Sequence, residues 1–165
     1  MKRKCLFAGT FDPFTVGHEE VVNTALDLFS EVVVALMVNP NKKCYFTEEE
    51  RFSFLQKLFR DKPRVSVIRY GGLVADLAKE SGIDYYIRGL RSGSDYDYET
   101  LDFYATQKLA PHLKALYVPA KQSEIDVSSS VVRTLIGYGK PYAEYLPERI
   151  RKDVISAVES KRAGN

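Results

Sequence analysis

The 165-residue chain is poor in soft metal ligands, with two cysteines and two histidines, and its charge of +2 comes from 24 basic and 22 acidic residues. Two cysteines are too few for a disulfide framework. Cys5 lies in an apolar stretch and reads as a small core residue, and Cys44 reads as a reduced loop thiol. No group of cysteine and histidine has zinc-like spacing, so no protein-built metal site is expected. The near balance of charges argues against a general nucleic-acid-binding surface. The start, Met1-Lys2-Arg3-Lys4, is basic, but the apolar stretch behind it is too short for a secretory h-region, and no segment is long enough to span a bilayer. A cytoplasmic protein with neither nucleic acid nor membrane as partner is the expectation. Internal repeats, low-complexity tracts and linkers are also missing. With 45% hydrophobic residues, residues 1–165 are expected to form one domain around one core, with only Arg162 to Asn165 frayed.

Strand-like and helix-like segments alternate along the chain. Cys5 to Ala8 reads as a short buried strand. Val21, Val22, Ala25, Leu26 and Phe29 then recur at helical spacing, and Val32 to Val38 is a near-continuous apolar run, as in a strand buried on both faces. Thr47-Glu48-Glu49-Glu50 is a capping-box pattern opening a helix to about Phe59, with Phe52, Leu55, Leu58 and Phe59 as its inner stripe. Val65 to Tyr70 is a third strand. A helix from about Leu73 to Ser81 is stopped by Gly82, and Tyr85 to Ile87 is a fourth strand ending at Arg88. A helix over Ser94 to Leu109, a fifth strand over Ala115 to Val118, a helix over Val131 to Ile136 capped by Ser128 or Ser129, and a last helix from Pro147 to about Ser160 complete the pattern. Repeated βα units of this kind predict an α/β fold, a doubly wound five-stranded parallel sheet flanked by helices. Ligands in such folds sit beyond the carboxyl ends of the strands.

Chemistry gathers at those ends. Gly9 to His18 reads Gly-Thr-Phe-Asp-Pro-Phe-Thr-Val-Gly-His, a strand, a tight turn and a helix start, where free amides and the helix dipole favour an anion. Thr10 offers a hydroxyl, Gly9 lets a ligand approach the backbone, and Gly17 removes a side chain beside His18. Thr15 and His18, three apart, share a helical face. After the fourth strand, Arg88-Gly89-Leu90-Arg91 places two guanidinium forks where both can turn toward one anion, with Asp95, Tyr98 and Glu99 behind them. The alternative is a solvated pair balanced by Asp95 and Asp97. Lys42 lies in the loop after the second strand, beside a solvated Lys43. Val127-Ser128-Ser129-Ser130 opens a helix, either as a phosphate site or as a simple cap.

The Thr15-Val16-Gly17-His18 element resembles the signature of the nucleotidylyltransferase superfamily. With Lys42, Arg88 to Arg91, Asp95, Tyr98, Glu99 and Val127 to Ser130, nearly the whole chain resembles the bacterial phosphopantetheine adenylyltransferase family. The resemblance implies that ATP and 4'-phosphopantetheine give dephospho-coenzyme A and pyrophosphate. It also implies magnesium arriving on the ATP phosphates, a homohexamer, and coenzyme A as a feedback ligand. His18, Lys42 and Arg91 take the catalytic roles by resemblance. The ATP contacts are Thr10, Phe11, His18, Gly89, Leu90, Arg91, Glu99 and the run Glu124, Ile125, Asp126, Val127, Ser128, Ser129 and Ser130. Thr10, Lys42, Val74 and Arg88 would hold phosphopantetheine. Glu124-Ile125-Asp126 departs from the aromatic-containing pattern usual there, and Thr100 to Lys108 also departs. Two other readings stay open on the residues alone: a nucleotidylyltransferase using nicotinamide mononucleotide or glycerol phosphate, and a noncatalytic nucleotide-binding regulator.

Overall fold

The computed structural model describes residues 3–164; Met1, Lys2 and Asn165 of the expected basic start and frayed end lie outside them. Five parallel strands form one sheet in the order β3-β2-β1-β4-β5. They are β1 (Lys4–Gly9), β2 (Glu31–Met37), β3 (Val65–Tyr70), β4 (Tyr85–Leu90) and β5 (Lys114–Pro119). The helices are α1 (Val16–Leu28), α2 (Glu48–Phe59), α3 (Val74–Glu80), α4 (Gly93–Leu109), α5 (Ser129–Gly137) and α6 (Glu148–Ala163). Among the described residues no helix is long and apolar enough to cross a membrane.

Alternation along the strands divides the core. On β1, Cys5 and Phe7 face one side and Leu6 and Ala8 the other, and on β2 Val32, Val34 and Leu36 oppose Val33 and Ala35. The Cys5 and Phe7 side is covered by α1, α2, α5 and α6. The other is covered by α3 and by Phe103 of α4. Strands apolar on both faces are what a sheet sandwiched between helices requires.

Local signals set the helix starts. Thr15 caps α1 and Thr47 caps α2 in reciprocal capping boxes, the second closed by Glu50. Gly82, at φ +61°, turns the chain out of α3. Three expectations need correction. The inner stripe of α2 uses Phe54 rather than Phe52, which lies half-buried under the Arg69 guanidinium, 4.0 Å from its ring centroid. β4 does not end at Arg88: Gly89 and Leu90 pair with Val118 and Pro119. Arg162 is not frayed, since it belongs to α6 and donates to the Ile136 carbonyl at 2.6 Å.

The sheet opens where its order reverses. β1 matches β2 over six residue pairs, and β4 matches β5 over six, whereas β1 and β4 pair only at Cys5 with Tyr85 and Leu6 with Tyr86. Beyond these the strands part, and a crevice begins at their carboxyl ends, the usual ligand position in doubly wound sheets.

Gly89 sits on this parting with no room for a side chain, because a Cβ there would lie 2.9 Å from Cγ2 of Val21 on α1. Gly89→Ala is therefore expected to lower stability by about 1–3 kcal/mol through overpacking. Gly93→Ala, with nothing within 4 Å of the added carbon, is expected to change it by less than about 0.5 kcal/mol. Urea unfolding of the two variants checks both values.

Candidate active site

The crevice has a volume of about 360 Å³ and is lined by the Gly9 to Asp12 turn, the start of α1, the end of β4, and the start of α5. That size suits a small-molecule ligand. Thr10, Phe11, His18, Lys42, Arg88, Gly89, Leu90, Arg91, Glu99, Glu124 and Val127 to Ser130 all line it. Residues from four separate strings, up to 120 positions apart by their numbers (Thr10 to Ser130), thus meet in one place.

Three expected residues do not line it. Val74 opens α3 and packs against the opposite core face. Its match rested on spacing alone; the residue opens α3 just past the carboxyl end of β3, outside the crevice lining. Ile125 is 56% exposed, and Asp126 accepts a hydrogen bond from the Tyr145 hydroxyl at 3.4 Å. The single 3₁₀ turn at Gln122–Glu124 directs Glu124 to the crevice wall and leaves the next two residues beyond it.

His18 is fixed by the same contact that starts α1. The Thr15 amide donates to His18 Nδ1 at 3.0 Å, and the His18 amide donates back to Thr15 Oγ1 at 3.4 Å. The imidazole takes the place that Glu or Gln usually fills in a capping box. Since Nδ1 accepts from a backbone N–H, the ring proton belongs on Nε2. Ring centroids of Phe14, Phe11 and Phe7 lie 5.1, 5.2 and 6.1 Å from the imidazole. Burial, reinforced by the Arg88 and Arg91 charges, pushes the His18 pKa down to about 3. His18 is a neutral N–H donor.

The cations differ in how far the protein already occupies them. Arg88 donates through Nε and Nη2 to Glu99 at 2.6 and 2.5 Å, and through Nη1 to the Ala8 carbonyl at 2.7 Å and the Tyr86 hydroxyl at 3.0 Å. Burial works against its charge, but Tyr86 and Glu99 outweigh it and hold the guanidinium above its ordinary pKa. Four donors of a five-donor fork are engaged, so Arg88 is a strut across the strand gap as well as a cation facing the crevice. Arg91 meets Asp95 through Nε and Nη2 at 3.0 and 3.1 Å, the pairing that the balanced-charge alternative anticipated, and the Arg91 amide also donates to Asp95 at 2.9 Å. Burial alone would raise the Asp95 pKa, yet these Arg91 contacts lower it. Lys42 is less engaged. Its Nζ donates at 2.9 Å to the neutral hydroxyl of Thr10.

The three serines line the crevice and also cap and anchor the start of α5. Ser128 Oγ caps α5 by accepting from the Val131 amide at 3.1 Å, Ser129 Oγ donates to the Pro13 carbonyl at 2.8 Å, and Ser130 Oγ accepts from Arg133 at 3.2 Å. Ser129 spends its hydroxyl proton on Pro13, whereas Ser128 and Ser130 only accept and keep an O–H to offer, so an anion at this wall meets those two hydroxyls, first-turn amides and the Arg133 guanidinium.

Three residues escaped the reading of the sequence. Asp12 is buried, accepting from the Tyr45 and Phe46 amides at 2.8 and 2.9 Å, and ties the Gly9 to His18 turn to the loop after β2. Arg133 donates at 2.6 Å to the Asp12 carbonyl. Its spacing of three from Ser130 in a helix was the available signal. Arg51 donates from α2 to the Thr10 carbonyl at 2.7 Å, and a place in a charged helical string gave no hint of this. Gly9 lines the crevice and also makes room for the Phe11 ring, whose Cε1 would lie 2.8 Å from an added Cβ.

Known proteins show the same assignment. The cytidylyltransferase-like family profile matches residues 6–135. A phosphopantetheine adenylyltransferase of Flavobacterium johnsoniae is 38% identical over 149 residues, covering 90% of this chain and 97% of that protein. One from Campylobacter fetus is 36% identical over 154 residues, covering 93% and 97%. Among solved structures, a bifunctional NMN adenylyltransferase/ADP ribose pyrophosphatase from Francisella tularensis superposes with a TM-score of 0.65 at 17% identity. It matches over 88% of this chain and 45% of that longer one, a likeness of fold. With relatives at this identity matched over nearly their whole length, and the Gly9 to His18 turn, arginine string and serine helix start in one crevice, the chain belongs to the phosphopantetheine adenylyltransferase family.

Proposed function

We propose that the protein transfers the adenylyl group of ATP to 4'-phosphopantetheine, giving dephospho-coenzyme A and pyrophosphate, in coenzyme A synthesis. The observation that carries this reading is the meeting of Lys42, His18, Arg88, Arg91 and the α5 start in one crevice of a chain from this family.

The chemistry asks for little proton transfer. A phosphate monoester has a second pKa of about 6 and is largely dianionic near neutral pH, so the nucleophile arrives ready. The site must align two anions and neutralise charge at the α-phosphorus. His18 donates Nε2–H to an α-phosphate oxygen. Lys42, held on Thr10, bridges that oxygen and the acceptor phosphate, and Arg88 presents its remaining donor to the acceptor. Arg91, Arg133 and the first amides of α5 receive the pyrophosphate. Val21, Val118, Pro119 and Val127 form an apolar wall suited to the adenine ring. Magnesium would arrive with ATP, and the chemistry it would supply is neutralisation of the phosphate charge.

Coenzyme A contains both the adenylyl and pantetheine parts that the crevice receives, which makes it the natural feedback ligand. Association of copies has a surface available on α4, where Tyr98, Leu101 and Tyr104 are 71, 73 and 57% exposed. This supports association of copies, for which the homohexamer is our reading, with a cytoplasmic location alongside the substrates.

Incubation with magnesium-ATP and each acceptor in turn should release pyrophosphate with phosphopantetheine. Release only with nicotinamide mononucleotide or glycerol phosphate would redirect the assignment, and nucleotide binding without release would favour a regulator. His18→Ala is expected to lower kcat about 10²- to 10³-fold, the effect of losing one transition-state donor, with ATP affinity little changed. Lys42→Ala should raise KM for phosphopantetheine as well as lower kcat, and steady-state kinetics with either substrate varied separates the two variants. Because the folded His18 pKa lies below the unfolded value, the ring stays neutral as pH falls from 8 to 5, and its contribution to stability weakens below about 6.5, where the unfolded chain takes up the proton. Its NMR signals should therefore not titrate over that range in the free enzyme; a midpoint near 6.5 would contradict the neutral-donor role.

A further inference from the structure

A buried cation stands behind the crevice wall without an anionic partner. Arg51 is 5% exposed, its Nη1 donates to the Thr10 carbonyl at 2.7 Å, and its Nε has no hydrogen-bond partner. The three glutamates before it are engaged elsewhere, Glu48 and Glu49 with Arg69 at 3.3 and 2.7 Å and Glu50 with Lys161 at 2.8 Å. Burying a guanidinium with an unpaired donor is unfavourable, and such groups call for a reason beyond stability. The reason lies one residue along. Phe11 has φ +47°, a left-handed conformation that a bulky residue adopts only when its surroundings impose it.

The turn holding Phe11 is gripped on both sides. Asp12 is held by the Tyr45 and Phe46 amides and by Arg133, and Thr10 is held by Arg51. Thr10 is also the residue whose hydroxyl accepts from Lys42 Nζ at 2.9 Å. Fixing its carbonyl fixes the Thr10–Phe11 peptide plane and so the backbone from which the hydroxyl projects toward Lys42. We infer that Arg51 is a positioning residue: from its buried place in α2 it locks the Thr10 peptide, and through the Thr10 hydroxyl it sets where Lys42 meets substrate. This rests on the adenylyl-transfer reading for what Lys42 does, but the contact chain itself belongs to the free protein.

The test is a double-mutant cycle of Arg51→Met and Thr10→Val, with Arg51→Lys alongside, read by pyrophosphate release from magnesium-ATP and phosphopantetheine. Arg51→Met is expected to lower kcat about 10- to 100-fold, the scale of a misplaced reacting group, with KM for ATP within about threefold. In the Thr10→Val background the same change should have little further effect, because both act through one hydroxyl. Arg51→Lys, which keeps a donor for the carbonyl, should recover much of kcat. Losses that multiply in the double variant would overturn the inference. A second readout needs no turnover: in the free protein, Arg51→Met should shift the amide resonances of Thr10, Phe11 and Lys42 and leave those of α3 and α4 in place. A spectrum unchanged at these residues, or changed throughout, would also overturn it. If the wild-type protein releases no pyrophosphate with any acceptor, the adenylyl-transfer reading fails by itself and the resonances alone decide the role of Arg51.

Discussion

The site exists because two central strands stop pairing. After Leu6 and Tyr86, β1 and β4 share no ladder, and the Ala8 carbonyl is met by the Arg88 guanidinium instead of a strand amide. A side chain stands in for a missing rung of the sheet. Glu99 then clamps the guanidinium from α4 with two bonds, so the gap, the helix behind it and the crevice charge are set by one contact group. An ion pair this sheltered adds little net stability over apolar packing, yet removing one partner strands the other without water. It acts chiefly as a spacer that keeps the parted strands at a fixed width.

Around that spacer the charges fall into two classes. Arg88 and Arg91 are matched at close range by Glu99 and Asp95, while Lys42 leans on a neutral hydroxyl and Arg133 on neutral oxygens with the Asp12 carboxylate farther off at 3.7 Å. Matched guanidinium groups give a rigid frame of fixed shape. The less matched cations keep charge available to an anionic ligand, and the neutral imidazole between them adds a donor without further positive charge. A pocket made only of free cations would repel itself in the empty state. Pairing half of them lessens that repulsion while leaving a net attraction for phosphate.

Much of this was legible in the residues. The apolar strands, the Thr47 capping box and the glycine after α3 rest on local rules, which the structure keeps; that the His18 imidazole would close a second box at Thr15 was not read. So did the grouping of Gly9 to His18, Lys42, Arg88 to Arg91 and Ser128 to Ser130, because parallel βα topology carries every strand's carboxyl end to the same edge. What the residues did not reveal is which donor meets which acceptor. Arg88 and Glu99, eleven positions apart, form a pair only because α4 folds back over β4, and Arg51 reaches Thr10 across forty-one positions. Val74 is the reverse case. Counting along the chain placed it with the substrate contacts, while the structure sets it partly buried at the start of α3, outside the crevice lining.

One feature bears on how this family can change over time. In α1 the interval between Thr15 and His18 closes the helix start and also sets the reach of Nε2 into the crevice. Side chains within that interval can be exchanged, as Val16 takes no part in either contact. Its length cannot, because one added or missing residue turns the imidazole by about 100° around the helix axis and leaves the first amides uncapped. Sequence drift here is therefore confined to spelling and barred from insertion or deletion.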